Sequence, residues 1–130
     1  MITNSGFKIA INRIAKSIPD YTPVSQFKVG ITQATPTITD TDLTSPVIIS
    51  GASYLKDITD SECTIDENTY ESTSTSYINS VEANGNDLNG IGIFNTDGTP
   101  KMEDITDFTT ITKGSSVEVV IEIINRVRRR

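Results

Sequence analysis

Histidine is missing from this chain altogether. That removes Ser-His-Asp and Cys-His catalysis, histidine-ligated metals and the commonest general base. Tryptophan is also missing, and aromatic residues make up only 6% of the sequence, so the core must be thin. The single cysteine, Cys63, excludes an internal disulfide framework and any multi-cysteine zinc site. No basic residue flanks it to lower its pKa, so it reads as inert. No apolar run reaches the length needed to span a bilayer. The opening MITNSGFK has neither the basic nor the apolar region of a signal peptide. Neither G-x-x-x-x-G-K-[ST] nor G-x-G-x-x-G occurs, and Gly90-Ile91-Gly92 is too short for a phosphate loop.

Acidic groups survive these exclusions, but without catalytic or metal-binding pattern. Asp57, Asp60, Glu62, Asp66 and Glu67 fall in a stretch with no glycine between Gly51 and Gly85, so no calcium loop can form there. The run Asn84–Gly90 puts Leu88 where such a loop needs an oxygen ligand, and it reads as a turn. The pairs Asp104 with Asp107 and Asp66 with Glu67 read as surface residues, since any domain with seventeen acids contains pairs. These absences predict a non-enzyme with no cofactor and no metal.

What is abundant is β-branched. Isoleucine and threonine each occur nineteen times in 130 residues, a usage suited to pleated, half-buried surfaces. The length is that of one domain. The net charge is −6, and four of the eleven basic residues lie in the last five positions. Residues 1–125 therefore hold seven basic against seventeen acidic groups, a charge of −10. Such a body repels nucleic acid and anionic membrane. The tail Arg126-Val127-Arg128-Arg129-Arg130 is the one basic patch. It is either a solubilising terminus or a dock for an acidic surface, such as another copy of the chain, or for nucleic acid, which so short a tail on an acidic body would bind only weakly.

Taken in order, residues 1–18 hold the one expected helix, with Phe7, Ala10, Ile11, Ile14 and Ala15 forming an apolar stripe. Thr3, Asn4 or Ser5 can cap it, and Pro19 and Pro23 end it. The stripe either covers the sheet or packs on a neighbouring subunit. Residues 19–46 hold a strand, Gln26–Ile31, with Phe27, Val29 and Ile31 on one face. A long Thr/Pro-rich loop follows at 32–46, with one helical turn expected at Asp40–Leu43; loops of that length usually carry function or assembly contacts. Residues 47–127 read as antiparallel strands: Val47–Ser50, Thr69–Val81, a strand from Leu88, and a last one from Ser116 to Val127. Thr69–Val81 is polar on much of both faces, which predicts a sheet edge or a subunit interface. In the last strand Val117, Val119, Ile121, Ile123 and Asn125 form a core face, and the opposite face should be partly covered. Turns are expected at Thr96-Asp97-Gly98 and Lys113-Gly114-Ser115. The expected fold is one mainly β domain, antiparallel and β-sandwich-like, with a single N-terminal α-helix and a basic tail at 126–130.

Two stretches carry a family resemblance: MITNSGFKIAINRIAKS with DYTPVSQFKVGITQATPTITDTDL, and LNGIGIFNTDGTPKM followed by FTTITKGSSVEVVIE. Together they resemble small structural proteins of tailed bacteriophages, in which a strand and turn ending FN-x-DGT precede F-x-x-I-x-K and a last apolar strand. The likeness covers Ile91–Gly98, Phe108–Lys113, Val117–Ile124 and the first forty-odd residues; Asn89-Gly90 departs from the family pattern. It implies a virion component of tail, fibre-attachment, baseplate or head-decoration type, made in a host cytoplasm and working in multiple copies. The partners it implies are further copies of the chain and neighbouring virion proteins, with Phe7, Ile11, Ile14, Arg126, Arg128, Arg129 and Arg130 as candidate contacts. The alternative is a module on the particle surface that binds host-cell glycans. With no tryptophan, only Tyr21, Tyr54, Tyr70 and Tyr77 could offer sugars an aromatic platform.

Overall fold

Alternation of apolar and polar side chains decides most of the architecture. The computed structural model describes residues 1–15, 24–59, 62–95 and 101–127, the side chains of 11–15 excepted. It is mainly β, a sandwich-like stack of antiparallel sheets with one short N-terminal helix. The elements are α1 (Asn4–Ala15), β1 (Val24–Gly30), β2 (Ile48–Ile49), β3 (Ala52–Ser53), β4 (Leu55–Asp57), β5 (Cys63–Asp66), β6 (Glu71–Ile78), β7 (Asn86–Asn95), β8 (Met102–Lys113) and β9 (Val119–Arg126). A four-stranded sheet runs in the order β4-β1-β7-β8, a three-stranded sheet in the order β5-β6-β9, and β2 with β3 forms a small hairpin. The hairpin turns on Ser50 and Gly51, with φ of 52° and 82°. Positive φ at both central residues is the type I′ signature.

The main core lies between the two larger sheets. Phe27 and Val29 from β1 meet Leu88, Ile91 and Ile93 from β7, with Ile78 of β6 and Val119 of β9 opposite. Burying each such side chain contributes roughly 1.5–3 kcal/mol. The expected inward face of β1 is correct for Phe27 and Val29, and Ile31 packs against the same cluster.

The far face of the four-stranded sheet has its own cover, the long loop at 32–46. It leaves β1 and returns beside it: the Ile31 amide donates to the Ser45 carbonyl at 2.8 Å, and Gly30 bridges to Pro46. Leu43 packs with Phe94, Met102 and Ile105 in a second apolar cluster. Gln33 is nearly buried and organises the excursion. Its amide nitrogen donates to Asn89 Oδ1 at 2.8 Å, and its side-chain Oε1 accepts from the Thr44 amide at 3.1 Å. The Gln33 stem lies directly on Gly90, where a Cβ would come within 2.6 Å of Gln33 Cβ. Lys28 pins the outer part through Asp42 at 2.8 Å while sitting 4.8 Å over the Phe94 ring. No helical turn forms at Asp40–Leu43. Asp40 instead closes a turn, its carboxylate accepting from the Thr37 hydroxyl at 2.7 Å and the Thr37 amide at 2.8 Å.

Three further expectations are corrected. Among the described side chains of α1 the inward one is Ile9, 1% exposed, whereas Phe7 is 54% exposed. The helix is turned that way because Thr3 caps it, accepting from the Gly6 amide at 3.1 Å, and Gly6 lies against the β8 backbone. A Cβ on Gly6 would sit 2.2 Å from the Glu103 carbonyl oxygen. The polar strand β6 is no edge: β5 and β9 flank it on both sides. Its inward parity runs from exposed Ser72 through half-buried Ser74 to buried Ser76 and Ile78. Asp104 is no surface residue either; it is buried and paired with the Met1 ammonium at 2.6 Å.

Candidate interaction surface

The two ends of the sandwich differ, and the difference follows from where the sheets are stitched together. At one end the chain crosses between sheets twice, from β6 to β7 through 79–85 and from β8 to β9 through 114–118. Lys113 lies at this point with its side chain wholly buried. Its ammonium donates to Asn84 Oδ1 at 2.7 Å, to the Gly114 carbonyl at 3.0 Å and more weakly to the Ser80 carbonyl at 3.4 Å. The Gly85 amide donates to the Lys113 carbonyl at 2.8 Å. One side chain thus ties both crossovers. Ala83 and Gly85 take positive φ in the first of them, but the turn expected over Asn84–Gly90 is confined to its first two residues, because β7 begins at Asn86.

A second lysine braces the flank. Lys56 of β4 donates to the Tyr77 carbonyl and to Glu82 Oε2, both at 2.7 Å. Glu82 also accepts from the Asn79 amide at 2.9 Å. Burial tends to raise the Glu82 carboxyl, but these donors hold it below its ordinary value. Burial and then the Glu82 charge push the nearby Tyr54 phenol well above the usual range.

The opposite end is open. The inner parity of β5 and β9 runs past the cover of the larger sheet, leaving Ile65 79% exposed and Val127 76% exposed. With Ile2 and Tyr70 they line a bowl of about 740 Å³. Asp66, Glu67 and Glu71 stand on its rim, and Arg126 pairs there with Glu71 through Nε and Nη2. An adjoining cleft of about 480 Å³ shares Ile2, Ile65, Ser72 and Asn125 and extends to Phe7, Ala10 and Ile93. Amides of Asn68 and Thr69 donate to Asp66 Oδ1 at 2.9 and 3.3 Å, which lowers its carboxyl and closes the β5–β6 turn.

That turn ends on Tyr70, at φ 56°. This backbone region favours glycine or asparagine, and a bulky residue in it is strained. Backbone strain therefore coincides with an aromatic ring that is 59% exposed at the mouth of the bowl. Sequence pattern did not single out Tyr70 for this place. An acidic Asx-type turn followed by a non-glycine residue was the available signal.

Of the candidate contacts, Phe7 and Arg126 reach this open end, from the cleft and from the rim. The side chains of Ile11 and Ile14, and Arg128, Arg129 and Arg130, lie outside the described residues, as does the turn expected at Thr96-Asp97-Gly98. The outer face of β9, expected to be partly covered, is bare: Val120 is 57% exposed and Ile124 55%. Among the described residues no group of three or more Cys, Asp or Glu side chains is placed to hold a metal ion. Among the same residues no helix is long and apolar enough to cross a membrane. Comparison with known proteins finds no matching family profile, no matching curated protein and no matching solved structure.

Proposed function

We propose that this chain is a structural subunit of a tailed-bacteriophage particle, working by self-assembly and by docking to neighbouring virion proteins. The observation that carries the assembly part is the open end of the sandwich, where Ile65, Tyr70 and Val127 stand more than half exposed around one apolar bowl. Grouped apolar surface of this kind marks interaction sites. Strain held at Tyr70 supports the same reading, because it keeps an aromatic ring in the mouth of the bowl. The phage context rests on the resemblance of the two sequence stretches, and Lys113 gives the lysine of F-x-x-I-x-K a structural reason. Mass spectrometry of purified tailed particles from a strain carrying the gene should find the chain in fixed proportion to the tail or head proteins. Particles that lack it would overturn the virion reading.

A binding module for host glycans is the second reading, and one observation favours it. The bowl sets the Tyr70 ring beside Glu67 and Asn125, an aromatic surface next to polar groups. Retention on immobilised host polysaccharide that Tyr70→Ala abolishes would establish this role; no retention would remove it.

A further inference from the structure

We infer that β9 pairs edge to edge with β9 of a second copy, joining two three-stranded sheets into one of six strands. The inference deepens the assembly reading above and rests on it for its meaning in the particle. The other sheet edges are short or, in the twelve-residue β8, bridged at the start and broken further on by a register shift opposite Leu88–Gly90. β4 has three residues and β5 has four. The start of β8 is bridged by the N-terminal segment, Ile2 to Asp104, with the Ile105 amide donating to the Met1 carbonyl at 3.0 Å. β9 is eight residues long, pairs among the described residues with β6 on one side only, and has neither proline nor bulge. Proteins that must stay monomeric protect such edges. A cleft of about 320 Å³ separates Glu122–Asn125 from Met1, Ile2 and Thr106.

The backbone says which residues face that opening. The Val127 amide donates to the Tyr70 carbonyl at 3.0 Å, continuing the β6–β9 ladder in which Glu71 opposes Arg126. Odd-numbered residues of β9 therefore turn their amides to β6, and Val120, Glu122, Ile124 and Arg126 turn theirs outward. An antiparallel partner related by a two-fold axis must match even residues with even residues. Centring the axis on Glu122 sets two glutamates together, centring it on Arg126 sets two arginines together, and centring it on Ile121, Ile123 or Asn125 leaves Glu122 and Arg126 facing no opposite charge within β9. Centring it on Ile124 sets Ile124 against its own copy and Arg126 against the second copy's Glu122, twice. On the inner face the same register brings exposed Val127 against Ile121 of the other copy. Opposite charges directly across strands stabilise a ladder and like charges weaken it, so charge selects both the partner and the register. Arg126 would then stand between Glu71 of its own chain and Glu122 of the other.

The test uses the purified full chain and three variants, with mass measured by light scattering. Wild type should run as a dimer. Glu122→Arg alone places four arginines across the interface and Arg126→Glu alone places four glutamates, so each should weaken dimerisation at least tenfold. Mixing the two variants should restore a dimer, because every cross-strand pair is again of opposite charge. Ile124→Pro removes an outward amide that the fold does not use, and should give a monomer with an unchanged circular dichroism spectrum. A monomeric wild type, variants that dimerise as well as wild type, or a mixture that stays monomeric would each overturn the pairing. A monomer found in particles would sink this inference and leave the virion reading; a dimer missing from particles would do the reverse.

Discussion

Replacing Lys113 with methionine should lower the melting temperature by about 7 °C. Methionine keeps most of the buried stem and deletes only the ammonium. Two strong bonds disappear, to Asn84 Oδ1 at 2.7 Å and to the Gly114 carbonyl at 3.0 Å. The 3.4 Å contact with Ser80 adds little. Bonds from a charged donor contribute roughly 1.5–3 kcal/mol each. Against them stands relief of the several kcal/mol that desolvating an ammonium costs, at least in part. Asn84 is exposed, so its freed amide oxygen returns to water. The balance is a loss of about 2 kcal/mol. Unfolding entropy is about 2.1 cal/mol/K per residue, so over 130 residues that loss corresponds to the shift given. Lys113→Ala should lose about 2–3 kcal/mol more, since buried methylenes go as well. Calorimetry or a thermal melt by circular dichroism measures both. A methionine variant that melts at or above wild type would refute the clamp, showing that desolvation outweighs the bonds.

The Lys56–Glu82 contact predicts a pH dependence of definite sign. Because the folded Glu82 carboxyl lies below its ordinary 4.5, its contribution is present above that pH and is lost as pH falls through the folded value. Urea midpoints for wild type should therefore drop towards pH 3 more than those of Glu82→Gln; parallel curves would contradict this. Ser50→Asn should stabilise the β2–β3 turn by ~0.5 kcal/mol, since asparagine tolerates positive φ better than serine. A lower denaturation midpoint would count against the I′ assignment. Gly90→Ala drives a methyl into the Gln33 stem at 2.6 Å and should destabilise by roughly 1–3 kcal/mol. Backbone hydrogen exchange should then quicken across 33–45, and no change there would mean that the loop does not lean on Gly90. Val127→Ser should leave the melting temperature within about 2 °C of wild type, because that side chain is 76% exposed, while weakening assembly; a large loss of stability would show the bowl to be filled within one chain.

Strands were the legible part of this sequence, since period-two patterns in β1, β7 and β9 report burial directly. The inward set Val119, Ile121 and Ile123 could be named from alternation alone. The helix face was not legible. Periodicity put Phe7 and Ala10 on the apolar stripe and left Ile9 off it, and the choice between them lies in the contact of Gly6 with Glu103, which no local pattern contains. β6 was misplaced for a related reason. A run of serine and threonine reads as solvent-facing, yet Ser76 within it is wholly buried and β6 is the central strand of its sheet. Lys113 shows the same limit, because a lysine closing the threonine-rich stretch Phe108–Thr112 gives no sign that three oxygens surround it. The open end was half legible: Arg126 and Phe7 were marked for contact, but Tyr70 and Val127 emerge only when turn and terminus are seen side by side.

The placement of residues 2 and 127 around one bowl also decides how the fold would bear mechanical load. Tension applied between them pulls β9 away from β6 at its Glu71–Arg126 end. The ladder then opens one pair at a time and never loads all eight pairs together. Peeling proceeds at low force until it reaches Ile78 and Val119, and there it meets the crossovers tied by Lys113. The domain is thus built to yield from its open end and to hold at its closed one, and a stretched chain should pause with β9 released and the four-stranded sheet intact.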